Sequence, residues 1–152
     1  MFKRILVPLD GSRLSARALP YAAEIGQHFR GAVILIRVVP FSPIDPIGTY
    51  TLPEVLQTIE KSAHDKDRKN LASARRYLKR KLKRIISKGI KGSQYAILGA
   101  PAQSIIDFSR SADVDLIIMT THNKRGLKRA LLGSVSDEVV RESGIPVLTI
   151  PP

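Results

Sequence analysis

Apolar and polar positions follow two periods along this chain. Short, mainly apolar runs recur near residues 2–9, 32–39, 93–98, 116–120 and 145–150. Between them, apolar residues recur every three or four positions. A brief continuous run bounded by turn residues suits a strand buried on both faces, as in a parallel sheet. The three-to-four spacing suits a helix with one covered face. In the first strand, Phe2–Leu9, the centre is Ile5-Leu6-Val7, and Pro8 ends it because proline has no N–H for the ladder. Ala32–Val39 is nearly all apolar and is expected in the covered interior of a sheet. The remaining strands are Ser93–Leu98, Leu116–Thr120 and Ile145–Ile150.

Four helices fill the intervals. The first is predicted from about Arg13 to Phe29, with Ser12 as N-cap and Leu14, Ala18, Tyr21, Ala22, Ile25 and Phe29 as its apolar face. The second runs from Glu54 to about Lys88, with a break near Ser62-Ala63-His64. Leu71, Leu78, Leu82 and Ile85 form the buried stripe of its second half. The third begins at Pro101, a residue suited to the first helical position, and carries Ile105, Ile106 and Phe108. The fourth runs from Ser134 to about Ser143, where Gly144 ends it. Pro40–Pro53, with four prolines and Gly48, is a long irregular loop. Loops of that length serve as lids, as interfaces, or simply as surface.

Strand and helix alternate throughout, which predicts an α/β fold with a parallel sheet and right-handed crossovers. Ligands of such sheets bind outside the carboxyl ends of the strands, where strand order reverses. The ends on offer are Pro8-Leu9-Asp10, Val38-Val39, Gly99-Ala100 and Met119-Thr120. One stretch adds chemistry to that geometry. Leu116–Thr120 reads as a strand, Thr121–Leu132 as a polar basic loop, and Gly133-Ser134 opens a helix. Unpaired N–H groups and the helix dipole make such a helix start a place for phosphate. Gly133 allows a close backbone approach, and the Ser134 hydroxyl can cap the helix or bond an oxygen. Asp10 has a plainer role available as a turn residue bonding its own backbone.

Composition narrows the class. At 152 residues and 43% hydrophobic content, one domain spanning 1–152 with a full core is expected. No apolar run approaches the roughly 18 residues of a membrane span, and the N-terminal run is too short for a signal peptide. With no cysteine there is no disulfide framework and no thiolate zinc site. A cytoplasmic location is expected. The net charge of +12 draws the protein toward anions, or else marks a solvated basic surface. Much of it lies in the second helix, where no acid occurs between Lys69 and Lys88. Sequence-independent attraction to nucleic acid is one reading of that helix. Aromatic residues make up 5% of the chain, so stacking on single strands is unsupported. His28, His64 and His122 are scattered, and the chain holds no zinc-protease helix, Walker lysine motif or nucleophile elbow.

Over essentially its whole length, the chain resembles the universal stress protein family. The resemblance is carried by Ile5-Leu6-Val7-Pro8-Leu9-Asp10-Gly11-Ser12, by Gly99-Ala100-Pro101 with Ile105, by Asp115–Met119 followed by Leu131-Leu132-Gly133-Ser134-Val135, and by Pro146-Val147-Leu148. It implies a Rossmann-like open twisted sheet of five mainly parallel strands with about four helices on both faces. It also implies a homodimer formed through the last strand, Pro146–Ile150. The implied ligand is ATP or AMP, with or without Mg2+. Pro8, Leu9 and Asp10 would line one wall, with Asp10 reaching the ribose or a hydrated metal. Val38 would flank the adenine, and Met119 would lie under the nucleoside. Gly133, Ser134, Val135 and Ser136 would donate to phosphates. The resemblance implies a regulatory, non-catalytic protein.

The chain departs from the family's glycine signature: Thr120 and Asn123 stand where two glycines are expected, and only Gly133-Ser134 remains. Asn tolerates positive φ, whereas β-branched Thr120 crowds a close approach. Lys124, Arg125, Lys128 and Arg129 could hold phosphates that the glycines no longer cradle. The rival expectation is a dimeric interaction module that has lost nucleotide binding and meets an anionic partner through its basic surface.

Overall fold

The computed structural model describes residues 1–43, 53–121 and 135–152. Five strands, β1 (Arg4–Pro8), β2 (Ala32–Val39), β3 (Gly92–Leu98), β4 (Leu116–Thr120) and β5 (Val147–Ile150), form one sheet in the order β3-β2-β1-β4-β5. All four pairings are parallel. The helices are α1 (Ala18–Phe29), α2 (Pro53–Ile86), α3 (Pro101–Ser111) and α4 (Val135–Glu142). This is the expected α/β architecture, with every pairing parallel rather than most.

Successive strand residues point to opposite faces, so the apolar runs feed two cores. Ile5, Val7, Val33, Leu35 and Ile118 pack with Ala18 and Ala22 of α1 and Leu78 and Ile85 of α2. Leu6, Ile34, Ile36, Ile117 and Met119 pack with Ile105 and Ile106 of α3 and Val139 of α4. A run without polar interruptions is therefore what a sheet covered on both faces requires.

Several expected details shift. The first helix begins later than Arg13: Ser15–Arg17 forms a 3-10 turn, and the α-helix starts at Ala18. Ser12 still caps the approach, its hydroxyl accepting the Ser15 N–H at 3.0 Å. The buried face of α1 is Ala18, Ala22, Ala23 and Gly26, while Tyr21 is half exposed. Small residues here let the helix sit close to the sheet; Gly26 lies so near Val33 that an added Cβ would be 3.1 Å from its methyl.

No break occurs at Ser62–His64, for α2 is one helix of 34 residues. Its inner stripe extends back through Ala74 and Asp67 to Ala63, all buried, so Ser62 and His64 simply face outward. The strands are trimmed at their ends: β1 omits Phe2, Lys3 and Leu9, β3 gains Gly92, and β5 starts at Val147. The described residues contain no helix long and apolar enough to cross a membrane.

Candidate functional site

The sheet opens between β1 and β4. Their ladder pairs Ile5 with Leu116 and Leu6 with Ile117 and stops. On the outer sides, β1 continues pairing with β2 as far as Pro8, and β4 with β5 as far as Thr120. Pro8 has no N–H to extend a ladder. Chain order also reverses here: β1, β2 and β3 progress in one direction, and β4 and β5 lie on the other side of β1. That is the crevice where open α/β sheets take ligands.

A cavity of about 790 Å³ occupies it. This volume suits a ligand of nucleotide size, within the roughly 300–1,000 Å³ of small-molecule sites. Among the residues read from the sequence, Pro8, Leu9, Asp10, Val38, Met119, Thr120, Val135 and Ser136 all line it. Leu9 and Met119 are buried and anchored in opposite cores, so the floor is rigid. The Thr120 side chain is 5% exposed and fills wall space that a glycine would leave open. Asn123, Gly133, Ser134, Lys124, Arg125, Lys128 and Arg129 lie outside the described residues, as does His122.

Asp10 sits exposed at the rim. One carboxylate oxygen accepts the Ser12 N–H at 2.8 Å, so the turn role exists alongside its place on the cavity. The Ser15 hydroxyl accepts the Asp10 N–H at 3.3 Å and donates to the Ser12 carbonyl at 3.2 Å. These bonds stiffen the segment from Asp10 to Ser15. Gly11 has φ of +96°, a conformation side-chain-bearing residues rarely adopt. A Cβ at Gly11 would stand 2.9 Å from the Arg37 guanidinium, so this turn and Arg37 are packed against each other.

Arg37 is a site residue that pattern reading passed over. It is the charged position in the apolar run of β2, and that interruption was the available signal. Its guanidinium lies 5.3 Å from the centroid of the Tyr77 ring, with Lys81 at 5.4 Å. The Tyr77 hydroxyl is buried and finds no hydrogen-bond partner among the described residues. Burial pushes its pKa up; the neighbouring Ser15 hydroxyl and Arg37 guanidinium oppose this and are outweighed. Asn70 and Ser73 of α2, and Pro101 and Ile105 of α3, complete further walls that the sequence reading did not assign.

Aliphatic walls suit a flat base, and among the described residues the rim holds one acid, Asp10, and one guanidinium, Arg37. Among the described residues no group of three or more His, Cys, Asp or Glu side chains could hold a metal ion. Asp10 could offer an oxygen to a hydrated Mg2+ that keeps its other ligands from water and phosphate, the usual manner of that ion. Among the described lining residues no second carboxylate or histidine stands beside Asp10.

An open parallel sheet of five strands with helices on both faces and a cavity at its switch point defines the class as a Rossmann-like α/β fold. The model of the universal stress protein family matches residues 1–151, and the chain belongs to that family. It is 31% identical over 150 residues to universal stress protein MJ0531 of Methanocaldococcus jannaschii, covering 99% of this chain and 82% of that one. The solved structure of MJ0577 from the same organism superposes with a TM-score of 0.78 at 28% identity, covering 100% and 97% of the two chains. The universal stress protein of Archaeoglobus fulgidus, solved in complex with dAMP, has the same fold, with a TM-score of 0.59 at 21% identity and 99% of each chain covered.

Proposed function

We propose that this chain is a regulatory protein of the universal stress type, a single domain that binds ATP or AMP in the cavity between β1 and β4 without turning it over. The observation that carries the reading is convergence. Residues from four separate segments, nominated at the sequence level, line one cavity at the switch point of the sheet. That a protein of this fold is solved with dAMP supports a nucleotide as the occupant. Val38 flanks the base, Met119 lies beneath the nucleoside, and Asp10 meets the ribose or a hydrated magnesium. Gly133, Ser134, Val135 and Ser136 donate to phosphates, assisted by Lys124, Arg125, Lys128 and Arg129. The test is isothermal titration of nucleotide-stripped protein with ATP and Mg2+. Saturable one-site heat that disappears in Gly133→Val is the expected result. No heat at millimolar ATP overturns the reading.

One observation favours the rival, a family member that has lost the nucleotide and serves as an interaction module. The buried Thr120 side chain occupies cavity wall. Calorimetry decides between the two.

The same proposal includes a homodimer through β5. This strand is an edge of the sheet, and Leu148 on it is 36% exposed. A bare apolar edge invites pairing with a second strand. Sedimentation at micromolar concentration should give a dimer; a monomer counts against it.

A further inference from the structure

The positive charge of this protein is concentrated on the second half of α2 and the turn that follows it. Arg68 to Lys88 contains ten Lys and Arg and no Asp or Glu. The rest of the chain holds fifteen cations against thirteen acids, close to balance. Packing decides where this charge points. Ala74, Leu78 and Ile85 face the core, so the opposite side of α2 is turned outward. Lys69, Arg76, Lys79, Arg80, Lys83 and Arg84 lie there, and every one is exposed. At 3.6 residues per turn they fall within an arc of roughly 140°, along about 22 Å of helix. Among the described residues the one ion pair is Arg68–Asp65, which involves none of these six.

Helix stability does not account for the arrangement. Arg76 and Arg80, Lys79 and Lys83, and Arg80 and Arg84 stand four residues apart, and like charges at that spacing weaken a helix. A straight, outward, unpaired row of cations complements a regular row of anions. We infer that the outer ridge of α2 is a sequence-independent docking surface for the phosphate backbone of double-stranded nucleic acid.

The surroundings of the ridge favour a duplex over other polyanions. A single strand needs aromatic platforms. The one aromatic residue in this part of α2, Tyr77, is half buried with its ring faced by Arg37 and Lys81. A bilayer surface needs an apolar face to insert, and the apolar face of α2 is spent on the core. The geometry suits a duplex, whose strands each carry one phosphate per ~3.4 Å of axis, so ~22 Å presents about six or seven per strand. Lys and Arg on phosphates carry no base readout, so affinity should be indifferent to sequence.

The inference stands apart from the nucleotide reading and is tested separately. Full-length protein is titrated into a fluorescein-labelled 24-base-pair duplex of mixed sequence, following anisotropy between 50 and 200 mM KCl. About four phosphate contacts give a slope of log K against log salt near −3.6, a fall of about a hundredfold across that range. A second duplex of unrelated sequence should bind equally. Arg76→Gln/Arg80→Gln/Arg84→Gln should bind at least tenfold more weakly at 50 mM and flatten the slope by about 2 to 3. Circular dichroism checks that the variant folds; Lys79→Gln/Lys83→Gln on the same ridge provides the second test if its melting shifts.

Three results would overturn the inference. One is parental affinity in both ridge variants. Another is loss of binding on neutralising Lys124, Arg125, Lys128 and Arg129 but not the ridge. The third is a polyglutamate peptide or phosphatidylglycerol vesicles outcompeting the duplex at equal charge.

Discussion

The two ends of the sheet are built from the same strands and behave oppositely. At the amino end everything is tied. The Asp115 carboxylate accepts the Lys3 N–H at 2.7 Å and the Arg4 N–H at 3.1 Å, while the Asp115 N–H donates to the Arg4 carbonyl at 3.0 Å. The Ala32 N–H reaches the Lys3 carbonyl at 2.8 Å, and Phe2 stacks edge-on against Phe29 with ring centres 5.2 Å apart. At the carboxyl end the β1–β4 ladder has stopped and a cavity takes its place. Two aspartates show what the difference consists of. Asp115 holds the backbone N–H groups of Lys3 and Arg4, at the start of β1; Asp10 holds an N–H of its own turn and is exposed at the rim. A carboxylate at the amino end clamps two segments together, and one at the carboxyl end lines the cavity.

Substitutions at the two ends should therefore separate stability from binding. The largest effect is expected at Gly31, where an added Cβ would collide with the Phe2 carbonyl oxygen. Gly31→Ala must move backbone, costing about 3 kcal/mol and roughly 6–12 °C of melting temperature by scanning calorimetry. A loss below about 1 kcal/mol would show that the amino end has slack. Next, Asp115→Ala should cost about 1.5 kcal/mol in urea unfolding, with ATP affinity of the folded protein unchanged.

At the other end the signs divide. Thr120→Gly should lower stability by about 1 kcal/mol, since a strand glycine is entropically costly, and raise ATP affinity about tenfold by opening the wall. If affinity stays flat in calorimetry, Thr120 is not what narrows the cavity. Asp10→Asn should leave stability within about 0.5 kcal/mol, because the Asn carbonyl can accept the same Ser12 N–H. It should weaken only magnesium-dependent binding, about threefold.

The smallest effect is a local one. The Ser42 hydroxyl and N–H hold the Asp67 carboxyl below its ordinary pKa, the N–H at 2.8 Å. A depressed carboxylate stabilises the fold above its unfolded pKa, and that contribution fades as pH falls through the folded value. The parent's advantage over Asp67→Asn should be constant above about pH 5 and vanish in strong acid. An advantage that persists at pH 2 would mean that the bond survives protonation.

The central strands were the most legible part of the molecule, because burial on both faces leaves few places for polar residues. Helix faces were less so. Tyr21 dominates the apolar pattern of the first helix, yet the face that docks is Ala18, Ala22, Ala23 and Gly26, whose value is small size rather than hydrophobicity. The 3-10 turn at Ser15–Arg17 also resets the phase. Around the cavity, Pro8, Leu9, Asp10, Met119 and Thr120 could be found because strand ends are visible in a run of residues. Asn70 and Ser73 could not. They look like ordinary surface positions on a basic helix, and only the packing of α2 brings them to the cavity.

The gap between β1 and β4 also has a consequence in time. The strands bordering it are joined by contacts 111 positions apart, as between Arg4 and Asp115. Chains emerge at about 5–20 residues per second, so β1 waits roughly 6–22 seconds for the neighbour that completes the cavity. β2 and β3 are made in the interval and can pair on the other side. The proposed nucleotide would thus meet only the finished protein, too late to guide the first half of its assembly.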